Sequence, residues 1–255
     1  EQPYGSPPGR RQTGLLAWAV KDRQRGDVAR VVMLVALTAA ASWGIAWGFD
    51  PARAGAPSAL EGLGATYAVL TLSALAYGFR EELLKKWLLP RFGDLSVGFF
   101  AALALFGCAF GFVKLVTMHH SPRAAWMAHL YLQLGDPRPL RLHQAWVGVG
   151  IAVDATMEEV VWRGWAKSML DELVGLRVGW IAAAALYALA HVPTLWALSD
   201  SSIGVNPIVV LAALGAGLVW SGMARVFGRL WPGIVCHALF DWAVLMMFRL
   251  WGPSV

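Results

Sequence analysis

Seven apolar stretches, each near the roughly 20 residues that cross a bilayer core, constrain this 255-residue chain more than any other feature. They lie at about 28 to 49, 58 to 80, 95 to 118, 143 to 168, 177 to 193, 206 to 227 and 231 to 250. The stretches run without the polar–apolar alternation that strands with a lipid face and a lumen face require, which excludes a membrane barrel. Hydrophobic residues make up 58% of the chain and charged ones 15%, against roughly one quarter charged in a soluble domain, so soluble α/β and all-β folds are excluded too. The expected fold is all-α, a polytopic helical membrane bundle of about seven transmembrane helices. No linker divides the stretches, so residues 28–255 read as a single transmembrane domain.

The 27 residues ahead of it read differently. Residues 1–12, rich in Pro, Gly and Gln, are expected to be a disordered tail, and residues 13–27 join a short apolar run to five charges, as in an amphipathic helix lying at the membrane interface. The charges follow the apolar run, the reverse of a signal peptide. With the N-terminus cytoplasmic, the inner segments hold fourteen Lys and Arg and the outer ones five, Arg53, Arg123, Arg138, Arg141 and Arg249. The net charge of +5 is therefore a topology signal of a multi-pass protein in the inner (plasma) membrane. Nucleic acid is not an expected partner, since no basic run is interleaved with stacking aromatics. Cys108 and Cys236 lie in apolar stretches and give neither a disulfide framework nor metal spacing.

Only Lys114 and Arg163 remain as cations inside spans, where charge is expensive enough to mark a functional candidate. The fourth span also carries Asp154, Glu158 and Glu159. Glu159 and Arg163 stand at i and i+4 with the acid first, the favourable pairing order. Glu158 sits about 100° around the helix on the stripe of Asp154 and Trp162, and needs a partner from another helix. An antiparallel hairpin of the fourth and fifth spans is symmetric about Val174 and Gly175, and so sets Glu158 level with His191, with Tyr187 one turn before it. The run Ala182–Ala185 allows close packing there. In the seventh span His237 and Asp241, four apart, share a side. A carboxylate and a histidine to activate water, with a second histidine for the oxyanion, suffice to hydrolyse a peptide bond.

Glu158-Glu159-x-x-x-Arg163, Tyr187-x-x-x-His191 and His237-x-x-x-Asp241, in this order, resemble the EExxxR, FxxxH and HxxxN/D motifs of the CPBP family. That family includes CAAX prenyl-protein endopeptidases, bacteriocin-processing and self-immunity proteins, and bacterial sorting-signal proteases of the myxosortase type. The resemblance covers about residues 143–250, the expected catalytic core. It implies that Glu158 and His191 activate the water, that Glu159 and Arg163 form a structural pair, and that His237 and Asp241 form the oxyanion site. Tyr187 stands in place of the usual Phe and adds a hydroxyl able to bond His191 or substrate. Asp241 stands where the CAAX enzymes have Asn. An ionised Asp cannot donate to an oxyanion, so it is expected to orient His237 as an acceptor, unless burial keeps it protonated.

Other polar features read as bland. Glu81-Glu82-x-x-Lys85-Lys86 resembles the first motif of a different group of membrane proteases, yet its two i, i+4 pairs in a basic inner connection match a solvated interfacial helix. His119, His120, His129 and His143 fall in or beside a long outer connection, 119–142, with no HExxH and no Cys or Asp at ligand spacing, and read as surface histidines. The 14 Trp read as interface belts and core packing. Gly215, Gly217 and Gly222 suggest a close helix contact, not phosphate binding. The expected function is an intramembrane endopeptidase cleaving a membrane-associated protein substrate with glutamate- and histidine-activated water. No cofactor is required, although two histidines with carboxylates leave zinc open. A non-catalytic membrane immunity or partner-binding protein with a structural polar core is the alternative, and a proton-coupled transporter a third. The Ala, Arg, Gly and Trp-rich composition inclines toward a bacterial source and processing of a sorting-tagged protein.

Overall fold

The structure, a computed structural model, describes residues 9–116 and 121–246. Of the features singled out above, residues 1–8 of the tail, His119, His120 and Arg249 lie outside the described residues. Among the described residues the chain is helical throughout apart from its connections, with a single isolated bridge between Asp200 and Gly204.

Helices α1 (Gly9–Gly48), α2 (Pro57–Arg80), α3 (Leu84–Leu88) and α4 (Asp94–Val116) form the N-terminal half. Helix α1 is continuous through the boundary near residue 27 at which the sequence separates an interfacial helix from the first span. After α5 (Ala124–Leu134) and α6 (Pro137–Leu142), helix α7 (Gln144–Glu159) passes through a π-helical segment, Val160–Ala166, into α8 (Lys167–Val174). Helices α9 (Gly179–Ala190), α10 (Thr194–Ala197), α11 (Ile208–Phe227) and α12 (Trp231–Met246) complete the bundle.

Among the described residues, helix therefore falls within each of the seven expected stretches. Four segments, 24–48, 58–80, 94–116 and 208–227, are long and apolar enough to cross a membrane by themselves, and the protein is a multi-pass helical membrane protein. Helices α9 and α12 are shorter. Twelve residues of α9 rise about 18 Å against a hydrocarbon core of about 30 Å, so α9 ends within the depth of the bundle, and His191 follows it.

Lipid is as apolar as a leucine side chain, so helices in a bilayer associate through small residues that let their backbones approach. The bundle follows this rule: Ala41, Ala74, Ala102, Ala183, Ala184 and Ala216 are buried, while Val35, Leu72, Phe100 and Leu115 point outward. Helix α12 packs along α4 and α7, α11 along α9, and α1 along α2. The π segment is enclosed by this packing, with all seven of its residues buried. Its larger turn interrupts the 3.6-residue period that the fourth span was read with, and such segments recur where a helix carries a functional group.

Two connections differ from expectation. The outer stretch 119–142 holds two helices. Helix α5 is fastened where Gln133 Nε2 donates to the carbonyls of Gly48 and Asp50 (3.0 and 3.1 Å) and where Asn206 Nδ2 donates to that of Trp126 (2.9 Å). On the opposite end, the helix expected to run from Glu81 to Lys86 is broken at Glu81-Glu82, and only α3 (Leu84–Leu88) carries Lys85 and Lys86. Helix α2 stops at Arg80, and Glu82 adopts a left-handed backbone with φ of 57°, costing about 1 kcal/mol for a residue with a Cβ. Burial of Trp87 against Gly78 and Gly164 accompanies this break, because the chain must turn under the bundle to deliver that ring.

Candidate active site

The polar core is assembled by α7, the π segment, α9, α11 and α12. Glu158, Glu159, Arg163, His191 and His237 are all buried, whereas the Asp241 side chain keeps 38% of its surface open. The structure thus collects every residue of the three motifs into one cluster with Asp241 at its accessible edge.

Tyr187 occupies the centre. Its hydroxyl donates to Glu158 Oε2 at 2.7 Å, so the extra oxygen of this aromatic engages the glutamate and not His191. His191 meets the same residue elsewhere: its Nδ1 lies 2.8 Å from the Tyr187 carbonyl, and the two rings pack edge to face at 4.6 Å. A carbonyl only accepts, so Nδ1 carries the proton in that bond and a neutral ring keeps its lone pair on Nε2. Thr194 fixes the turn behind it by donating its hydroxyl to the His191 carbonyl at 2.7 Å.

Glu159 has a different company. Its Oε1 lies 3.1 Å from Arg163 Nη1 and 3.0 Å from His237 Nδ1. The Arg163 pair is Coulombic without an aligned hydrogen bond, and the guanidinium lies over the rings of Tyr187 (4.5 Å) and Trp220 (5.1 Å). Their negative faces stabilise a cation that burial would otherwise penalise. Glycine is needed at two points around this pair. A Cβ on Gly217 would stand 3.4 Å from the guanidinium, and one on Gly233 would stand 2.7 Å from Glu159 Oε2.

His237 is held from both sides. While Nδ1 faces Glu159, Nε2 lies 3.2 Å from Asp241 Oδ2 and 3.9 Å from Glu158 Oε2, and the ring stacks on Trp220 with centroids 3.6 Å apart and planes 18° from parallel. A ring with acceptors at both nitrogens donates to both only when doubly protonated. Trp220 Nε1 in turn donates to Cys236 Sγ at 3.3 Å.

Sequence reasoning missed Trp220, which carries no motif and sits in a span read only for its glycines. It also missed Tyr67, whose hydroxyl accepts from Trp162 Nε1 at 3.1 Å and so pins the helix carrying Glu158 to α2. Lys114, the other intramembrane cation, does not join the cluster. It is exposed near the end of α4, with its ammonium 5.4 Å from the Phe110 ring centroid.

Among the described residues no three His, Cys, Asp or Glu side chains are grouped to hold an ion. His129, one of the outer histidines, pairs with Asp200 at 3.1 Å. The Asp200 carboxyl is itself held below the usual carboxylate range by the Ser202 hydroxyl and backbone N–H.

A family model described as type II CAAX prenyl endopeptidase, Rce1-like, matches residues 141–243, from the end of α6 into α12. All seven motif residues fall within it. No curated protein and no solved structure matches the chain.

Proposed function

We propose that the chain is an endopeptidase of the Rce1-like, type II CAAX prenyl endopeptidase kind, whose family model matches residues 141–243, and that it hydrolyses its substrate with a water activated by Glu158 and His191. The family match supports peptide-bond cleavage of a protein in a membrane context as the reaction class. The observation that carries the finer reading is the shared contact of Glu158 and His191 with Tyr187, which holds a carboxylate and an imidazole lone pair about one aromatic residue.

In this reading a water between Glu158 and His191 Nε2 gives its proton to the Glu158 carboxylate as its oxygen attacks the scissile carbonyl carbon. The resulting oxyanion takes a hydrogen bond from His237 Nε2, which turns from Asp241 toward it, and Asp241 restrains the ring between turnovers. Collapse of the tetrahedral intermediate breaks the C–N bond, and the proton collected by Glu158 passes to the leaving amine. Glu159 and Arg163 touch no reacting atom. They are positioning residues, fixing His237 Nδ1 and the aromatic pair.

The substrate is a membrane-associated protein, and processing of a sorting-tagged bacterial protein is the reading that composition favours. The N-terminus lies in the cytoplasm and the membrane is the inner one, as the fourteen-to-five sorting of Lys and Arg indicates. Glu158→Gln keeps the shape of the side chain while removing the base. Uncleaved substrates should accumulate in native membranes carrying this variant and disappear when the parent chain is restored, read by mass spectrometry of protein termini. Identical termini in the two membranes would refute the assignment.

A further inference from the structure

The break at Glu82 creates a second charged site, at the end of the bundle where α2 gives way to α4. A cavity of about 340 Å³ there is lined by Glu82, Lys85, Lys86, Leu89 and Arg91. We infer that this cavity holds the phosphate of an anionic membrane phospholipid. The inference is independent of the catalytic reading.

Three cations against one carboxylate leave the lining with a balance of +2. The neighbouring acid, Asp94, bonds a cation outside the lining and interacts with only one of the three, Arg91. It is buried and engaged by Arg229, whose Nε lies 2.8 Å from Asp94 Oδ1, and by the Arg91 backbone N–H at 2.8 Å. The same bonds make the segment a mount and not a loose loop. Trp87 is buried, its carbonyl accepts from Leu230 N–H at 3.2 Å, and the Leu88 carbonyl accepts from Trp231 Nε1 at 2.7 Å. The cations are thereby held in fixed relation to the bundle.

The source of the phosphate follows from what surrounds the cations. Leu88, Leu89 and Phe92 on this short segment, and Phe79 at the end of α2 before it, are exposed large apolar side chains. Such a group is unfavourable in water and favourable at the boundary between acyl chains and headgroups. A lipid satisfies both requirements, placing its chains against the exposed apolar side chains and its phosphate among Lys85, Lys86 and Arg91. Free phosphate would leave the apolar half without a partner. Basic residues beside a membrane attract anionic lipid by the same Coulombic attraction.

Native mass spectrometry of the purified full chain tests this, with phosphatidylglycerol and phosphatidylcholine of matched acyl chains as the probes. Phosphatidylglycerol should be retained at least tenfold more tightly. The triple variant Lys85→Gln/Lys86→Gln/Arg91→Gln should weaken that binding roughly a hundredfold, about fivefold for each cation, with phosphatidylcholine unchanged. Glu82→Gln removes the only carboxylate of the lining and should tighten phosphatidylglycerol binding a few fold. Its opposite sign keeps the test decisive if the triple variant does not fold. Equal retention of the two lipids, or a preference that survives the triple variant, would overturn the inference. Displacement of the lipid by millimolar inorganic phosphate would overturn it as well, by making this a site for the soluble ion.

Discussion

The chain contains the same sequence device twice, a Glu-Glu pair followed by basic residues, and folds it in two opposite ways. At Glu158-Glu159 the helix continues past the pair, widens into a π segment and buries both carboxylates and Arg163. At Glu81-Glu82 the helix ends, the second glutamate takes a left-handed backbone, and the charges stay exposed. Spacing alone does not distinguish the pairs. What separates them is what the neighbouring helices bring: Tyr187 and His237 give the first pair partners of its own and Trp220 faces its Arg163, while the second is displaced by the burial of Trp87.

The contrast breaks most readily at Glu158, the proposed base. Glu158→Gln should lower the rate of cleavage by about 10²–10⁴-fold, the range supplied by general acid–base catalysis, whereas Glu81→Gln should leave it within about twofold. Comparable losses from the two substitutions, measured as turnover on a trapped substrate, would dissolve the distinction between the pairs.

Stability separates the basic partners in the same way. Arg163→Met leaves Glu159 charged in a buried site and should cost about 3–5 kcal/mol, while Lys86→Met, on an exposed residue, should stay within about 0.5 kcal/mol. Thermal unfolding in detergent reads the difference. A tolerant Arg163→Met would mean that His237 alone compensates Glu159.

These expectations also mark what the sequence made legible. Helix placement was legible because apolar length in a bilayer is read directly, and the ordered motifs brought Glu158, Tyr187, His191, His237 and Asp241 together because i, i+4 spacing fixes a helix face. The π segment was not legible, since it arises from packing of Val160–Ala166 against α2, α9 and α11 and leaves no mark in composition. Helix α5 was hidden for a related reason. Its fastening to the rest depends on side-chain bonds such as Gln133 to the Gly48 carbonyl, 85 residues away along the chain. Trp220 looked like one more aromatic of an apolar span, and only its stacking on His237 gives it a place in the site.

Smaller substitutions sharpen the comparison from within the buried pair. Gly233→Ala drives a methyl group to 2.7 Å from Glu159 Oε2 and should destabilise the fold by about 1–3 kcal/mol, measured again by thermal unfolding. An unchanged unfolding temperature would show that Glu159 has room to move. Trp220→Leu should lower kcat about fivefold to tenfold with little change in KM, through loss of the ring under His237, and Trp220→Phe should recover most of it. A Phe variant no better than Leu would make Trp220 a packing residue only.

The least disruptive change removes one oxygen. Tyr187→Phe supplies the aromatic residue usual in the resembling motif and deletes the 2.7 Å hydrogen bond that the Tyr187 hydroxyl donates to Glu158. The ring faces against Trp162, His191 and Arg163 remain, because none of them uses the hydroxyl. One hydrogen bond to a buried carboxylate is worth about 1–3 kcal/mol gross, but water admitted beside Glu158 can replace part of it. The expected loss of stability is therefore about 1 kcal/mol, with cleavage retained. Activity that vanished in Tyr187→Phe while the fold survived would move the hydroxyl from the support of Glu158 into the chemistry, as a proton donor to the substrate.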